Sequence, residues 1–149
     1  MRIRLIYAAL LSLLLSISGL AAAEELPGVK VYKSPTCSCC SRWADQLSAS
    51  GFEVETINVD NVVPIKQQYG VPRQLGSCHT AIVDGYVIEG HVPIADILRL
   101  LRERPDTKGI GVPGMPIGSP GMEGPDPQAF KVYAFDAQGT TEEFASHSP

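Results

Sequence analysis

The stretch Val29-Lys30-Val31-Tyr32-Lys33-Ser34-Pro35-Thr36-Cys37-Ser38-Cys39-Cys40-Ser41-Arg42-Trp43-Ala44-Asp45-Gln46-Leu47 decides how the rest of the chain is read. Val29 to Lys33 alternates and is rich in β-formers, the pattern of a strand. Ser34-Pro35-Thr36 breaks it. From Cys37 the spacing turns helical: Cys40, Trp43, Ala44 and Leu47 fall at intervals of three and four, and Gly51 closes the segment as a C-terminal cap does. Cys37, Cys39 and Cys40 therefore lie at a helix N-terminus. Unpaired N–H groups and the helix dipole stabilise anions there, so at least the first thiol is expected to be more acidic than a free cysteine.

Outward from this stretch, Phe52-Glu53-Val54-Glu55-Thr56-Ile57-Asn58-Val59 alternates as a second strand. A short helix is expected from Val62 to Tyr69, with Pro64 in its first turn and Gly70 ending it. Thr80-Ala81-Ile82-Val83, Asp84-Gly85 and Tyr86-Val87-Ile88-Glu89 form a hairpin signal, because Asp-Gly supplies the positive φ angles of a tight primed turn. Pro93 opens a last helix through Arg104, with an apolar stripe of Ile94, Ile97, Leu98 and Leu101, and Pro105 stops it. The order β-α-β-α-β-β-α predicts an α/β, thioredoxin-like fold, a central mixed β-sheet flanked by helices. Reactive cysteines at the junction of the first strand and first helix stand where that fold keeps its active site.

After Arg104 the composition changes. Gly109 to Pro127 holds six glycines and five prolines in 19 residues, a composition that argues against a helix or a central strand. Inside it Pro113-Gly114-Met115 recurs as Pro120-Gly121-Met122. Phe130 to Phe135 alternates like a strand, Gln138-Gly139 offers a turn, and Thr140 to Phe144 can pair back as a terminal β-hairpin, with a frayed end from Ala145. Too few apolar residues lie here for a second core. Residues 107–149 are thus expected to form a Gly/Pro-rich arm packed on a metal-binding domain of residues 24–106.

At the other end, Arg2 and Arg4 precede an apolar run from Leu5 to about Leu15, followed by small residues and Ala21-Ala22-Ala23. That three-part pattern describes a signal peptide, residues 1–23, cut after Ala23. The alternative is a retained membrane anchor, but the run is only marginally long enough to span. Cleavage would leave 126 residues with ten basic and sixteen acidic side chains, a formal charge of −6. An acidic chain without a Lys/Arg cluster is a poor candidate for nucleic acid or anionic lipid. No later stretch could span a bilayer, so the expectation is a soluble periplasmic protein in an oxidising compartment.

The four cysteines are Cys37, Cys39, Cys40 and Cys78. A disulfide scaffold spreads its cysteines to close loops; three thiols in four residues close almost none. Cys37 and Cys40 have the C-x-x-C spacing of thiol redox proteins, and a strained Cys37–Cys39 bond is a further pairing. Ser77-Cys78-His79 precedes the third strand, at the turn where redox proteins of thioredoxin-like fold carry a cis-proline, so Cys78 is expected to face the cluster. Zinc sites of four cysteines usually draw on two separated C-x-x-C pairs. Crowded thiolates, with Met115 and Met122 on the arm, favour Cu(I) instead, leaving zinc, silver or mercury as alternatives.

At these residues the sequence resembles the CopG-like family of exported, thioredoxin-like copper-binding proteins, formerly a domain of unknown function with a C-x-C-C motif. The likeness runs from about Val29 to Glu123, through Cys37-Ser38-Cys39-Cys40 with Trp43, Gly51-Phe52, Gly70-Val71-Pro72, Ser77-Cys78-His79-Thr80-Ala81, Glu89-Gly90-His91-Val92-Pro93 and Pro113-Gly114-Met115-Pro116 to Gly118-Ser119-Pro120-Gly121-Met122-Glu123. It implies copper at the clustered thiols, as a multinuclear Cu(I) site, and a role in copper resistance. Family members often carry histidine where this chain has Gln46, so no ligand is assigned there.

The expected metal ligands are Cys37, Cys39, Cys40, Cys78, Met115 and Met122, with copper as Cu(I) the expected cofactor. Packing under the arm is the alternative for the methionines. His79 is read equally as ligand or core histidine, its side chain on the opposite face if the strand has begun; His91 is read as a structural hydrogen bonder, His147 as solvated, and Trp43 as core or pocket wall. Two further readings share the residues. One is a thiol–disulfide oxidoreductase with Cys37 as nucleophile and Cys40 as resolving thiol; the other is a carrier that docks on a copper efflux partner.

Overall fold

The computed structural model describes residues 25–149, and the expected signal peptide lies outside the described residues. Chain order is β1 (Val29–Lys33), α1 (Ser38–Ala49), β2 (Val54–Asn58), α2 (Val63–Gln68), a 3-10 turn (Arg73–Leu75), β3 (His79–Val83), β4 (Tyr86–Glu89), α3 (Ile94–Glu103), β5 (Gly109–Gly111), β6 (Phe130–Phe135) and β7 (Thr141–His147). The strands form one seven-stranded mixed sheet in the order β2-β1-β3-β4-β5-β6-β7. Neighbours β1–β2 and β4–β5 are parallel, and the other pairs are antiparallel. Among the described residues no helix is long and apolar enough to cross a membrane.

Strand alternation sorts side chains to two faces. Val29 and Val31, Ala81 and Val83, and Ile88 join Trp43, Ala44 and Leu47 of α1 and Ile97 and Leu100 of α3 in the main core. On the other face Ile82, Val87 and Phe135 pack with Leu75, Tyr69 and Val71 around the 3-10 turn. The helices therefore lie on both sides of the sheet, and the expected α/β architecture is present. Helix α3 ends at Arg104, whose left-handed φ of 50° turns the chain before Pro105.

Three expectations fail at the C-terminal end. Gly109 to Pro127 was expected to hold no central strand, yet Gly109–Gly111 is β5, in mid-sheet between β4 and β6. Glycine is what permits it there: a Cβ on Gly109 would lie 2.0 Å from the Val87 carbonyl oxygen. The end from Ala145 does not fray either. β7 pairs with β6 as far as Phe130↔His147, across an irregularity at Val132/Tyr133. His147 is not simply solvated: it stacks on Phe130 and places Nε2 2.7 Å from the Asp96 carboxylate.

Register also positions the site. β1 and β3 run antiparallel with Lys33 opposite His79, so the C-terminal end of β1 and the start of β3 share one edge of the molecule. The turn into α1 leaves from that edge, and Cys78 precedes β3 there.

Candidate metal centre

Cys37 is the N-cap of α1, with extended φ and ψ of −77° and 96°, and its N–H donates to the Ser34 carbonyl. Cys39 and Cys40 follow in the first turn. The sulfurs of Cys37, Cys39, Cys40 and Cys78 all lie within 4.8 Å of one another. Cys40 is fully buried and the other three are half-buried. The distant cysteine does reach the cluster: Cys78 Sγ is 3.3 Å from Cys40 Sγ, as expected from its place before the third strand.

The thiols are not all free. Cys37 and Cys40 form a disulfide, with Cα atoms 5.4 Å apart, while Cys39 and Cys78 remain thiols. Of the overlapping pairings, which include a vicinal Cys39–Cys40 bond, the C-x-x-C one is made. Cys39 Sγ stands 3.4 Å from Cys37 Sγ, placed to exchange with the bond. Burial, then the neighbouring Cys39, pushes the Cys78 thiol up to about 11.

His91 is the residue that sequence reasoning undervalued. Its Nδ1 lies 2.8 Å from the Pro120 carbonyl oxygen, the structural hydrogen bond expected of it. A carbonyl only accepts, so Nδ1 carries the proton and Nε2 is left with a lone pair. That Nε2 faces Cys78 Sγ at 2.9 Å, so the Cys78 thiol donates to it. Burial holds His91 below the usual imidazole range, which keeps it neutral. The signal was present in the hairpin. The two-residue Asp84-Gly85 turn sets Val83 opposite Tyr86 and Thr80 opposite Glu89; counting two pairs further out sets Cys78 opposite His91.

His79 is a core histidine with one edge on the site. It is fully buried, its ring 4.4 Å from Trp43 and 4.9 Å from His91, and its Nδ1 is 3.5 Å from Cys78 Sγ. It does not turn to the face opposite the cluster, because β3 begins at His79 and strand alternation does not extend back to Cys78. Burial holds it well below the imidazole range, and its Nε2 has no hydrogen-bond partner among the described residues. Trp43 is pocket wall and core together, donating from Nε1 to the Val92 carbonyl at 2.9 Å.

The two Pro-Gly-Met turns dock at opposite ends of the cluster. Gly114 meets the Cys78 end: its N–H donates to the Gly76 carbonyl and its carbonyl accepts from the Ser77 hydroxyl. Met115 follows, half-exposed. Gly121 meets the helix end, where an added Cβ would fall 2.6 Å from the Cys39 carbonyl oxygen and 3.0 Å from the Trp43 nitrogen. Arg42 donates to the Gly121 carbonyl at 2.7 and 3.1 Å. Glu123 accepts from the Gly121 N–H at 2.8 Å and from Gln46 Nε2 at 2.7 Å. Gln46 thus latches the arm, and half-buried Met122 sits between these anchors.

Soft sulfur donors with one neutral imidazole, largely sheltered from water, suit a thiophilic ion such as Cu(I). The disulfide sets a condition, since its two sulfurs become thiolate donors only on reduction. The same four cysteines can therefore exchange electrons and bind metal.

Comparisons with known proteins point to a copper-related family. Residues 75–122 match the family model described as "Protein of unknown function, DUF411". No curated protein matches the chain. The solved structure "Copper resistance protein copG- Form 1" is 42% identical, with a TM-score of 0.78, covering 84% of this chain and 100% of that one. A second, "Copper resistance protein copG- Form 2", is 44% identical with a TM-score of 0.76, covering 83% and 99%. On that likeness, the chain belongs to the CopG-like, DUF411 family.

Proposed function

We propose that the protein is a periplasmic copper-binding protein of copper resistance, holding several Cu(I) ions on the thiolates of Cys37, Cys39, Cys40 and Cys78. One observation carries the reading: four sulfurs, one of them 38 residues away in sequence from the next, converge within 4.8 Å. His91 Nε2 adds a neutral nitrogen on the Cys78 side, and Met115 and Met122 add thioethers from the arm. The β2-β1-β3-β4 order with α1 leaving β1 supports a thioredoxin-like core. Residues 107–149 are read as an arm of that same domain, since β5 to β7 continue its sheet. Export rests on the signal pattern of residues 1–23.

The test is an anaerobic titration of the fully reduced protein with Cu(I) against a chromophoric competitor. Wild type takes up more than one equivalent, and Cys78→Ser lowers both stoichiometry and affinity. Unchanged binding in Cys78→Ser would remove the four-thiol site.

The Cys37–Cys40 disulfide supports a second role, reduction of Cu(II) in the same pocket. Formation of the S–S bond from two thiols releases two protons and two electrons, and two Cu(II) ions as substrate each accept one electron. A thiol–disulfide oxidoreductase is the competing reading. Robust turnover of a disulfide substrate by metal-free protein would favour it; Cu(II) reduction matched by loss of two thiols per two ions would favour copper.

A further inference from the structure

Behind Cys78, on the face of the sheet covered by α2, lies a buried ion pair that touches none of the sulfurs. Glu89 is fully buried on β4, and Lys66 reaches it from α2 with a side chain that is 13% exposed. Glu89 Oε1 accepts from Lys66 Nζ at 2.5 Å and from the Ser77 N–H at 2.7 Å. Its Oε2 accepts from the Thr80 hydroxyl at 2.7 Å. Lys66 Nζ donates also to Thr80 Oγ1 at 3.1 Å and to the His79 carbonyl at 3.3 Å. The N–H before Cys78 and the carbonyl after it are thus held by the same two side chains.

This bracket sits where the sheet gives least support. The β3–β4 ladder runs from Thr80 to Val83, and one more bond ties the Gly90 N–H to the His79 carbonyl. Cys78 and Ser77 lie outside it. Stability alone is a poor reason for such a pair, because removing two charges from water costs about what their attraction returns, and apolar side chains of like volume often do as well. The cost is visible on Glu89, whose carboxyl burial pushes up even with Lys66 beside it. What an apolar pair would not do is grip the Ser77 N–H and the His79 carbonyl at fixed positions.

We propose that Lys66 and Glu89 are positioning residues that clasp the Ser77–His79 backbone and so hold the Cys78 sulfur against Cys40 and His91. The inference rests on the reading that Cys78 is a copper ligand, and it assigns the outer support of that ligand. Supports of this kind orient metal ligands and affect affinity without touching the metal.

The experiment compares wild type, Lys66→Met/Glu89→Leu, Cys78→Ser, and the three substitutions combined, each as full mature protein, reduced and anaerobic. Thermal unfolding is followed beside Cu(I) competition titration and Cu(I)–thiolate luminescence. Single substitution of Lys66 or Glu89 strands a buried charge, so the paired replacement is the informative one. The double variant is expected to unfold close to the wild-type temperature, to bind Cu(I) about tenfold more weakly or worse, and to change its luminescence. Adding Cys78→Ser to it is expected to cost no further affinity. A folded double variant with wild-type affinity and luminescence overturns the clasp. If the double variant does not fold, Lys66→Met/Glu89→Gln takes its place, stranding no charge and keeping a polar group beside the Ser77 N–H and Thr80 while releasing the His79 carbonyl: weakened binding supports the clasp and wild-type binding overturns it. Cys78→Ser alone separates the two claims. Its being silent removes the four-thiol reading, whereas weakened binding in Cys78→Ser beside an intact double variant removes only the clasp.

Discussion

The two ends of the thiol pocket are built by different means. At the helix end, Cys37, Cys39 and Cys40 come from one turn of α1, and nothing beyond the strand–turn–helix junction is needed to bring them together. At the hairpin end, Cys78 and His91 meet just beyond the β3–β4 ladder, whose register sets them opposite each other. The helix end holds the disulfide, the hairpin end a thiol pushed up to about 11 and a neutral imidazole. Local construction thus goes with the disulfide, and long-range construction with a thiol whose place depends on the fold.

Trp43 is where the two ends meet, and its loss should have the largest effect. It follows Cys40 by one turn, packs its ring against His79, and hydrogen-bonds the Val92 carbonyl beyond His91. Trp43→Ala removes a fully buried indole, at a cost of about 3–5 kcal/mol in urea unfolding. If the ends are separable, the variant should still form the Cys37–Cys40 disulfide while losing the low reactivity of Cys78. Wild-type unfolding free energy would mean that Trp43 is not the joint.

The second prediction concerns that reactivity. A thiol raised to about 11 holds little thiolate at pH 8, so Cys78 in the disulfide form should react with iodoacetamide about a hundredfold more slowly than an unstructured cysteine. A short pulse read by mass spectrometry measures it, and the rate should climb as pH approaches 11. The sign for stability follows. A folded-state value above the unfolded one contributes stability in full below the ordinary thiol range and loses it as pH rises through about 11. Alkali should therefore unfold wild type more readily than Cys78→Ser. Rapid alkylation at pH 8 would mean the hairpin end is open.

How far each end could be read in the residues follows from how it is built. Alternation in Val29–Lys33 and the three-four spacing from Cys40 to Leu47 place the helix end without tertiary information. Cys78 could be placed by its position before the third strand. His91 needed one more step, counting pairs outward from Asp84-Gly85, and its hydrogen bond to Pro120 explained it well enough to hide the second nitrogen. Lys66 and Glu89 gave no local sign, since a lysine on a short helix and a glutamate ending a strand each read as solvated. Gly109–Gly111 was misjudged because glycine weakens an average strand, while here it admits the Val87 backbone. His147 took its meaning from Asp96, 51 residues away.

The arm bridges the two ends, and Gly121→Ala is the third test. Gly121 has a φ of +80°, and a methyl there would press on the Cys39 carbonyl and the start of Trp43. Strain and overpacking together should cost about 1–3 kcal/mol, and the arm should become sensitive to limited proteolysis between Gly109 and Pro127. Because Pro120 accepts from His91, lifting the turn should also free Nδ1 and disturb the Cys78 thiol. An arm that stays protected would show that its seat on α1 contributes nothing.

The smallest effect should come from Gln46→Ala. Gln46 donates to Glu123, and Glu123 accepts in turn from the Gly121 N–H. The contact is exposed, so its loss should cost about 0.5–1 kcal/mol at most, and amide exchange in residues 119–123 reports it better than global unfolding. The Gly121 N–H, foremost, holds the Glu123 carboxyl below the usual carboxylate range. Its contribution is therefore present at neutral pH and fades as pH falls through that lowered value. Wild-type exchange in these residues should accelerate on acidification toward the rate of Gln46→Ala, without change at Cys78. If acid loosened both ends equally, the helix end and the hairpin end would not be independent, and the arm would be transmitting strain between them through Pro120 and His91.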